Sequence, residues 1–498
     1  MRYSKLPFFI RCLQSANMLT QFLNQHILRS LPFTPNEGQK ELIGKLCRFL
    51  IQPATYPTFV LRGYAGTGKT SMVSALVKSM THLNRRVILL APTGRAAKMI
   101  AAYSGHRAYT IHKKIYRQLS AGFGRFALDF NPHKHTLFIV DEASMISDVT
   151  NFDSPFGTGN LLRDLVSYVF SGEDCRLLFL GDTAQLPPVG QSGAPALDDS
   201  KLQTMGLSVS SHLLTEVARQ ALDSGILANA THIRACLTSG DINLLPTFKL
   251  EGYSDICRLN PQRFTETIEQ CYATDGIEET VILTRTNRRT NLYNNGIRAS
   301  ILMREEELST SDRLMVVRNN YFYGQKLKAN SEDKPKEEQK QEDDGPVFIA
   351  NGDLFNLRRL RNVHEMYGLH FAETLLESED YDDEVEALVC LDTLHTDTPE
   401  DNNNLWRELF TKIAEDYPEI RNKKELRDKV MESPYYNALH IRFAYAVTCH
   451  KAQGGQWRNV FIDPGMVSDD RLGEDFYRWL YTALTRATQR VWLIGFPD

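Results

Sequence analysis

Eight consecutive residues, Gly63–Thr70, have the types and spacing needed to hold the phosphate groups of a nucleotide. Their sequence, GYAGTGKT, matches G-x-x-x-x-G-K-[ST], a pattern in which glycines let backbone N–H groups turn inward around phosphate oxygens. Lys69 is placed to reach the β- and γ-phosphates, and the Thr70 hydroxyl is placed to ligate Mg²⁺. The predicted nucleotide contacts in this loop are Gly63, Ala65, Gly66, Thr67, Gly68, Lys69 and Thr70.

The residues on either side of the loop predict the elements that position it. Thr58–Leu61 is a short apolar and β-branched run, which is typical of a buried strand. Ser71–Val77 spaces its apolar residues as a helix does. A strand, a glycine loop and a helix in this order bring the positive end of the helix next to bound phosphates.

A pair of carboxylates follows another apolar run. Leu137–Val140 is predicted to be a buried strand, and Asp141 and Glu142 come directly after it. Because ligands bind at the carboxyl ends of parallel strands, Asp141 is expected at the sheet edge that faces the phosphate loop. Asp141 would hold Mg²⁺, directly or through water. Glu142 would orient and deprotonate the attacking water.

Two further strand ends carry polar residues that could bind a ligand. Val87–Leu90 leads into Pro92 and Thr93, and Thr110 and His112 form a second polar cluster. Small and hydroxyl residues at such positions are typical of binding edges in α/β sheets. Each cluster, taken alone, fits a turn and a capped helix at least as well.

Two glutamines also stand at informative positions. Gln185 follows the predicted strand Arg176–Leu180, on a loop stiffened by two prolines. There it could sense the γ-phosphate and pass its presence to a neighbouring nucleic-acid groove. Gln39 opens a predicted helix upstream of the phosphate loop, and its amide could pair with both the donor and the acceptor edge of adenine.

An insert at about 113–136 is predicted to be a β-hairpin or small subdomain. The insert carries several aromatic residues around two glycines. We expect these aromatic residues at or near the tip of the hairpin. An exposed aromatic hairpin could wedge into a duplex or stack on a base. A hairpin packed on its own domain fits the same residues. The residues concerned are Tyr116, Gly122, Phe123, Gly124, Phe126 and Phe130.

The composition is that of a globular protein with several domains. The chain has 498 residues, of which 42% are hydrophobic and 24% are charged, and its net charge of −4 gives no global basic field. Eight cysteines without a C-x-x-C pair suit a reducing compartment rather than a zinc site or a disulfide framework. No apolar run reaches the length of a membrane span. We therefore expect a cytoplasmic protein that starts at Met1 or Met18.

The order of these motifs resembles the superfamily 1 helicases, and most closely their RecD/Dda-like branch. The resemblance covers roughly residues 39–495 and includes six or more motifs in sequence. Besides the phosphate loop, the matching segments are 91–97, 141–145, 181–188, 214–220, 281–287, 312–320, 351–353, 444–454 and 481–487.

The resemblance implies an α/β fold with two RecA-like parallel-sheet motor domains, a small inserted hairpin subdomain and an inserted small β-barrel. The implied organisation is a helical lead-in (1–34), a first motor domain (35–215), a second motor domain (216–353 and 443–498) and the barrel with a helical extension (354–442). A charged segment within it, 328–345, has almost no apolar residues and is expected to be a disordered loop.

The resemblance also implies roles for individual residues. ATP would bind between the motor domains, with Gln39 on the adenine and Gly454 on the nucleotide. Arg219 and Arg486 would reach the γ-phosphate, so that hydrolysis depends on domain closure. The catalytic set is then Lys69, Glu142, Gln185, Arg219 and Arg486, with Mg²⁺ on Thr70 and Asp141. The implied DNA contacts are Pro92, Thr93, Thr110, His112, Thr448 and His450.

The activity implied by the resemblance is ATP-driven movement in the 5′ to 3′ direction on single-stranded DNA, with unwinding at duplex junctions, in replication, recombination or repair. A monomer is implied, and a single-stranded-DNA-binding protein is a candidate partner. Cys449 and Ala452 depart from the family pattern, which puts one phosphate contact in doubt. Two alternatives remain open, namely an ATP-gated nucleic-acid-binding remodeller without processive unwinding and an RNA helicase of the same superfamily.

Overall fold

The computed structural model describes residues 6–119, 125–152, 154–217, 223–323, 348–379, 383–467 and 472–496. The chain forms two compact units. The first contains residues 1–116 and 128–223, and the second contains residues 117–127 and 224–498. In the described part, no helix has both the length and the apolar character needed to span a lipid bilayer.

The first unit is built on a parallel sheet of apolar strands. Its strands run in the spatial order β3-β2-β6-β7-β1-β8, and every neighbouring pair is parallel. All carboxyl ends therefore meet at one edge of the sheet. The strands are β1 (Pro57–Gly63), β2 (Val87–Ala91), β3 (Ala108–Thr110), β6 (Leu137–Val140), β7 (Arg176–Gly181) and β8 (Ser208–Leu214).

Helices cover this sheet and supply most of its core. The apolar sides of the first three helices pack together against the sheet through residues such as Leu23, Leu42 and Leu76. The helices are α1 (Leu6–Ser30), α2 (Glu37–Ile51), α3 (Lys69–His82), α4 (Gly94–Ser104), α5 (Ile111–Ile115), α6 (Leu161–Ser171) and α7 (Asp199–Thr204).

The predicted hairpin is present as β4 (Tyr116–Gln118) and β5 (Phe126–Leu128). Its tip, with Phe123, lies outside the described residues. Residues 117–127 group with the second unit, where the buried ring of Phe126 lies 5.1 Å from that of Tyr321. The described aromatic residues of the two strands are therefore packed, whereas Phe130, beyond β5, is exposed.

The second unit contains another parallel sheet, with the strand order β16-β10-β17-β18-β9. The RecA-like α/β architecture expected from the sequence is confirmed in both units. The strands are β9 (Ile256–Arg258), β10 (Thr280–Thr284), β16 (Ala446–Thr448), β17 (Trp457–Asp463) and β18 (Ala487–Leu493). The accompanying helices are α8 (Gly225–Ser239), α9 (Phe264–Asp275), α10 (Asn287–Ser300) and α13 (Glu474–Leu484).

A closed five-stranded barrel is inserted between β10 and β16. Its strands are β11 (Arg313–Val316), β12 (Leu354–Met366), β13 (Leu369–Ser378), β14 (Glu384–Cys390) and β15 (Leu439–Phe443). Helices α11 (Pro399–Ala414) and α12 (Lys423–Glu432) form the helical extension, and Trp406 and Leu409 of α11 pack against Phe371 of β13. The barrel thus takes its first strand from before the predicted insertion at 354–442. The charged segment 328–345 lies outside the described residues.

A buried ion network joins the barrel to the second sheet. Asp312 precedes β11 and is fully buried. Its carboxylate accepts hydrogen bonds from Nε and an Nη of Arg298, both at 3.0 Å, and from the Tyr445 hydroxyl at 2.8 Å. Arg304 makes a further ion pair with it. Because Tyr445 follows β15, this single carboxylate fixes both ends of the barrel segment to α10.

Replacing Asp312 by alanine is therefore expected to lower the free energy of unfolding by ~3–5 kcal/mol, because two arginines lose their buried partner. Urea denaturation followed by tryptophan fluorescence measures this, since all four tryptophans lie in the second unit. Glu266→Ala removes an exposed carboxylate paired with Arg263 and is the matched control, with little change expected. Equal shifts of the urea midpoint in both variants would contradict a structural role for the network.

Candidate functional site

The phosphate loop connects β1 to α3 at the carboxyl edge of the first sheet. Gly66 and Gly68 adopt φ angles of +74° and +84°, a region that favours glycine. A Cβ atom on Gly63 would lie only 2.8 Å from Cγ of Lys69. Nζ of Lys69 donates hydrogen bonds to the carbonyl oxygens of Gly63 and Tyr64, the latter at 3.0 Å. These hydrogen bonds hold the lysine side chain against the backbone of its own loop.

Lys69, Thr70 and Asp141 line the same small cleft. The two parts of the predicted site are far apart in sequence and meet here because β1 and β6 both end at this edge of the sheet, on either side of β7. The rest of the lining comes from α3, α4 and β7, namely Val73, Ser74, Ile100, Tyr103, Ser104 and Leu180.

The electrostatics of this cleft fit a divalent cation. Burial raises the pKa of Asp141 to about 6, and the neighbouring charge of Glu142 adds to the effect. A hydrogen bond of 2.8 Å from the Glu142 N–H and the positive charge of Lys69 offset this only in part. Burial and the neighbouring negative charge therefore disfavour the ionised form of Asp141 unless a cation is close by. A carboxylate and a hydroxyl are oxygen ligands of the kind Mg²⁺ prefers, together with nucleotide phosphates.

Glu142 has an unusual backbone conformation. Its φ of +48° lies in the left-handed region, which non-glycine residues seldom adopt. It directly precedes a short 3₁₀-helix, Ala143–Met145. Strained residues of this kind cluster at functional sites, where the surrounding structure holds them. The Asp141 N–H still donates to the Leu90 carbonyl at 2.9 Å, as in the sheet. The chain turns at Glu142, the next residue.

Gln39 has a structural role that the sequence interpretation missed. The residue is 2% exposed, and its Oε1 accepts from the N–H of Asn36 at 3.1 Å. Its Nε2 donates to the carbonyl of Thr67 at 3.1 Å, and Asn36 Oδ1 accepts from the Gln39 N–H at 2.8 Å. Gln39 therefore completes a capping box on α2 and braces the phosphate loop. The Asn-x-x-Gln spacing could have indicated the cap. The adenine contact stays a prediction.

Gln185 lies four residues after the end of β7, in the loop that leaves the same edge of the sheet as the phosphate loop. It is buried, and its N–H donates to the carbonyl of Asp182 at 3.3 Å. The Asp182 carboxylate accepts from the N–H of Ala184 at 2.9 Å, which fixes the turn. The loop thus holds Gln185 inward. Its role as a γ-phosphate sensor stays a prediction.

The hydroxyl groups of Thr93 and Thr110 are used as helix caps. Thr93 Oγ1 accepts from the N–H of Ala96 at 3.2 Å, and Thr110 Oγ1 accepts from the N–H of Lys113 at 3.2 Å. The capped-helix interpretation thus accounts for both oxygens. Pro92 and Thr93 are half-buried, whereas Thr110 is buried. Contact with DNA by these residues stays a prediction.

His112 packs against aromatic rings. Its ring lies 4.8 Å from that of Phe156 and 5.8 Å from that of Tyr116. Burial lowers its pKa to about 4, although the charge of the buried Asp164 opposes the shift. His112 is therefore neutral at neutral pH, and any contact with DNA would come from an uncharged imidazole. Asp164 is itself held by the Tyr116 hydroxyl at 2.7 Å.

In the second unit, the predicted residues lie at the end of β16 and in the turn that follows it. Thr448 is half-buried and His450 is exposed, and Gly454 has a φ of +76°. The buried Arg486 donates from Nε to the carbonyl of Thr482 at 3.2 Å and from an Nη to that of Gly455 at 3.3 Å. This guanidinium thus ties the end of α13 to the turn. Arg219 lies outside the described residues.

Cys449, a departure from the family pattern, is fully buried beneath this turn. Burial raises the pKa of its thiol to about 12. Its Sγ lies 3.6 Å from the carbonyl oxygen of Trp479. The residue therefore packs the turn against α13, and its thiol faces the protein interior.

Comparisons with known proteins agree with this architecture. Residues 34–244 match the family described as AAA domain, and residues 443–494 match the UvrD-like helicase C-terminal domain. The ATP-dependent RecD2 DNA helicase of Deinococcus radiodurans is 32% identical over 199 residues, which cover 39% of this chain and 24% of the relative. The chain thus spans about a quarter of that relative's length.

Two longer alignments have lower identity. An uncharacterised protein of Acanthamoeba polyphaga mimivirus is 22% identical over 92% of this chain and 99% of its own length. The structure of Pif1 helicase from Bacteroides with ADP-AlF3 and single-stranded DNA aligns over 94% of both chains at 15% identity, with a TM-score of 0.46. The two domain families, their order and the RecD2 alignment support the resemblance of this chain to the superfamily 1 helicases of the RecD-like branch.

Proposed function

We propose that the protein is an ATP-dependent DNA helicase that moves in the 5′ to 3′ direction on single-stranded DNA and separates duplex at junctions. The observation that carries the proposal is the single cleft in which Lys69, Thr70 and Asp141 meet. This arrangement supports nucleoside triphosphate hydrolysis, since it combines a phosphate-binding lysine with oxygen ligands for Mg²⁺. The name of the RecD2 relative supports DNA as the substrate.

The predicted site residues would have separate roles in hydrolysis. Lys69 and the backbone N–H groups of the loop would bind the phosphates, and Thr70 and Asp141 would hold Mg²⁺, which neutralises charge on the phosphate oxygens when bound. Glu142 would accept the proton of the attacking water. Gln39 would contact adenine, and Gln185 would respond to the γ-phosphate.

The second unit would contribute positive charge and DNA contacts. Arg486, together with Arg219, would contact the γ-phosphate, and Thr448 and His450 would contact the strand. The carboxyl edge of the first sheet would contribute the other DNA contacts, because parallel sheets bind ligands at this edge. These contacts are Pro92, Thr93, Thr110 and His112.

A cytoplasmic location and a monomeric state complete the proposal. Seven of the eight cysteines are free thiols, which suits a reducing compartment, namely Cys47, Cys175, Cys236, Cys257, Cys271, Cys390 and Cys449. A single-stranded-DNA-binding protein is the proposed partner, because unwinding produces the strand that such a protein covers. Size-exclusion chromatography with light scattering tests the monomer, and a stable dimer without DNA would contradict it.

Replacing Glu142 by glutamine is expected to lower kcat for ATP hydrolysis by about 10²–10⁴-fold, because an amide cannot accept the proton of the attacking water. The substitution keeps the shape of the side chain and the N–H bond to Asp141. Affinity for a non-hydrolysable ATP analogue should stay close to that of the unaltered protein. Steady-state phosphate release and analogue binding measure the two quantities.

The matched control is Glu173→Gln, which alters an exposed carboxylate of the same unit paired with Lys134. This control should hydrolyse ATP normally. Normal hydrolysis by the Glu142 variant as well would remove Glu142 from the role of general base. Loss of analogue binding in the Glu142 variant would instead indicate that the residue supports the cleft.

A further inference from the structure

Residues 147–152 and 154–160 lie on the surface between β6 and α6 and are here called the Phe152 loop. The ring of Phe152 is 93% exposed, and Val149 in the same loop is 59% exposed. Phe156, four residues later, is 4% exposed and belongs to the core. We propose that Phe152 is a stacking platform for a base of single-stranded DNA. This inference rests on the proposed function and adds a contact that no sequence motif indicates.

The loop is held down at its carboxyl side by buried contacts. The ring of Phe156 lies 5.0 Å from that of Tyr116 and 4.8 Å from that of His112. The Thr158 N–H and hydroxyl both donate to the Asp164 carboxylate, at 2.9 and 2.8 Å. Phe152 is thus presented by a loop whose neighbouring positions are anchored in the first unit.

The backbone of the loop leaves no space for side chains at two glycines. A Cβ atom on Gly157 would lie 2.2 Å from Asp164 Oδ2, and one on Gly159 would lie 2.2 Å from the Asn151 carbonyl oxygen. The Asn151 N–H donates to the Gly159 carbonyl at 3.0 Å, which closes the loop just before Phe152. The close packing at the base fixes the position from which the exposed ring projects.

The amino side of the loop is tied to its neighbours by charged contacts. The Asp148 carboxylate accepts from Gln191 Nε2 at 2.6 Å and pairs with Lys201 at 2.5 Å. Gln191 follows β7, two residues after Val189, which is 84% exposed. The two loops that leave the carboxyl ends of β6 and β7 are thereby joined, and both expose apolar side chains next to the joint.

The surroundings of the loop favour nucleic acid over a protein partner. Through Phe156 the loop rests on α5, which carries His112, Lys113 and Lys114 in succession. The ring of Tyr109, at the end of β3, has Arg107 at 5.0 Å and Lys114 at 5.2 Å from its centroid. Cations interleaved with aromatic rings are typical of surfaces that bind single strands.

The order of the sheet separates this surface from the nucleotide. The phosphate loop follows β1, whereas α5 follows β3 at the opposite edge of the sheet, beyond β7, β6 and β2. The carboxyl ends of β2 and β3 are thus separated from the phosphate loop, at an edge of the sheet where a second ligand could bind. A single exposed ring is ordinary on a protein surface. The proposal that the Phe152 ring stacks on a base therefore rests on its anchored loop and on the basic and aromatic residues at this end of the sheet.

The test is the affinity of Phe152→Ala for fluorescently labelled oligothymidylate, measured by anisotropy without nucleotide. Loss of one stacked base should weaken binding by about 5- to 150-fold. An oligonucleotide of the same length with abasic sites should bind the variant and the unaltered protein equally, because the phosphates remain while the stacking partner is gone. Unchanged binding to oligothymidylate would overturn the proposal.

Two further substitutions at this position separate stacking from apolar contact. Phe152→Trp should keep its affinity, and its exposed indole should lose fluorescence when DNA is added. Phe152→Leu keeps apolar area without a π-face and should bind weakly, so binding like that of the unaltered protein would overturn the stacking claim. Phe22→Ala, which removes an exposed ring on α1, is the control and should bind normally. Absence of any DNA binding by the unaltered protein would overturn the proposed function as well.

Discussion

Replacing Lys69 by alanine is expected to reduce ATP hydrolysis below detection, with or without single-stranded DNA. Nζ of Lys69 lies over the phosphate loop, held by the carbonyl oxygens of Gly63 and Tyr64, and it shares the cleft with Asp141. When phosphates bind, this ammonium would exchange its carbonyl partners for the β- and γ-phosphate oxygens. Without it, the negative charge of the transferred phosphoryl group has lost its nearest fixed cation. Phosphate release measures the loss, and a fluorescent ATP analogue measures binding.

Lys78→Ala is the matched control, because Lys78 is an exposed lysine on the same helix, α3. The control should hydrolyse ATP at the normal rate and melt at the same temperature as the Lys69 variant. Turnover that survives in Lys69→Ala would contradict the assignment of the nucleotide site. A lowered melting temperature in Lys69→Ala alone would show that the lysine is needed for the fold of the loop.

Replacing Arg486 by alanine is expected to lower kcat for ATP hydrolysis by about 10³–10⁵-fold, since an arginine supplied to the γ-phosphate can be worth that factor. The affinity for ATP should change little, because the charge acts on the transition state. The buried guanidinium also ties the end of α13 to the turn at Gly455. Melting temperature and analogue binding are therefore measured beside turnover.

Two variants serve as controls for this prediction. Arg490→Ala alters an exposed arginine on β18 and should hydrolyse ATP normally. Arg486→Lys keeps the charge but loses the planar guanidinium, so it should recover stability more fully than activity. Equal losses of kcat and of ATP affinity in Arg486→Ala would contradict a role at the transition state and would indicate simple binding.

The meeting of the phosphate loop with Asp141 could be predicted because it depends on local spacing and on strand direction. Glycines, Lys69 and Thr70 are adjacent in sequence, and Asp141 and Glu142 directly follow an apolar strand. Parallel strands end at one edge of the sheet, so the two segments had to meet there. The structure brings Lys69, Thr70 and Asp141 into one cleft.

Contacts between distant residues could not be predicted in the same way. The amide of Gln39 reaches the Thr67 carbonyl, which depends on how α2 packs beside the phosphate loop. The barrel recruits β11 by pairing it with both β12 and β15, across long stretches of chain. Such pairings depend on tertiary packing, and a local pattern gives no sign of them.

The surroundings of His112 show the same limit at a single side chain. The sequence predicts a DNA contact for His112, which stays a prediction, but it gives no sign that the ring packs on Phe156 or that burial lowers the pKa of His112 to about 4. Asp164, on an ordinary amphipathic helix, gave no sign that it would hold Tyr116 and Thr158. The Gly157-x-Gly159 spacing was the one local signal that this loop has a fixed shape.

Strand separation on two partial duplexes tests the central claim most directly. One duplex has a single-stranded tail with a free 5′ end, the other a tail with a free 3′ end, and ATPase activity is followed with and without single-stranded DNA. We expect DNA-stimulated hydrolysis and unwinding of the 5′-tailed duplex alone. Stimulated hydrolysis without unwinding of either duplex would contradict the helicase and support an ATP-gated remodeller. ATP hydrolysis that is stimulated by RNA but not by DNA would contradict DNA as the substrate.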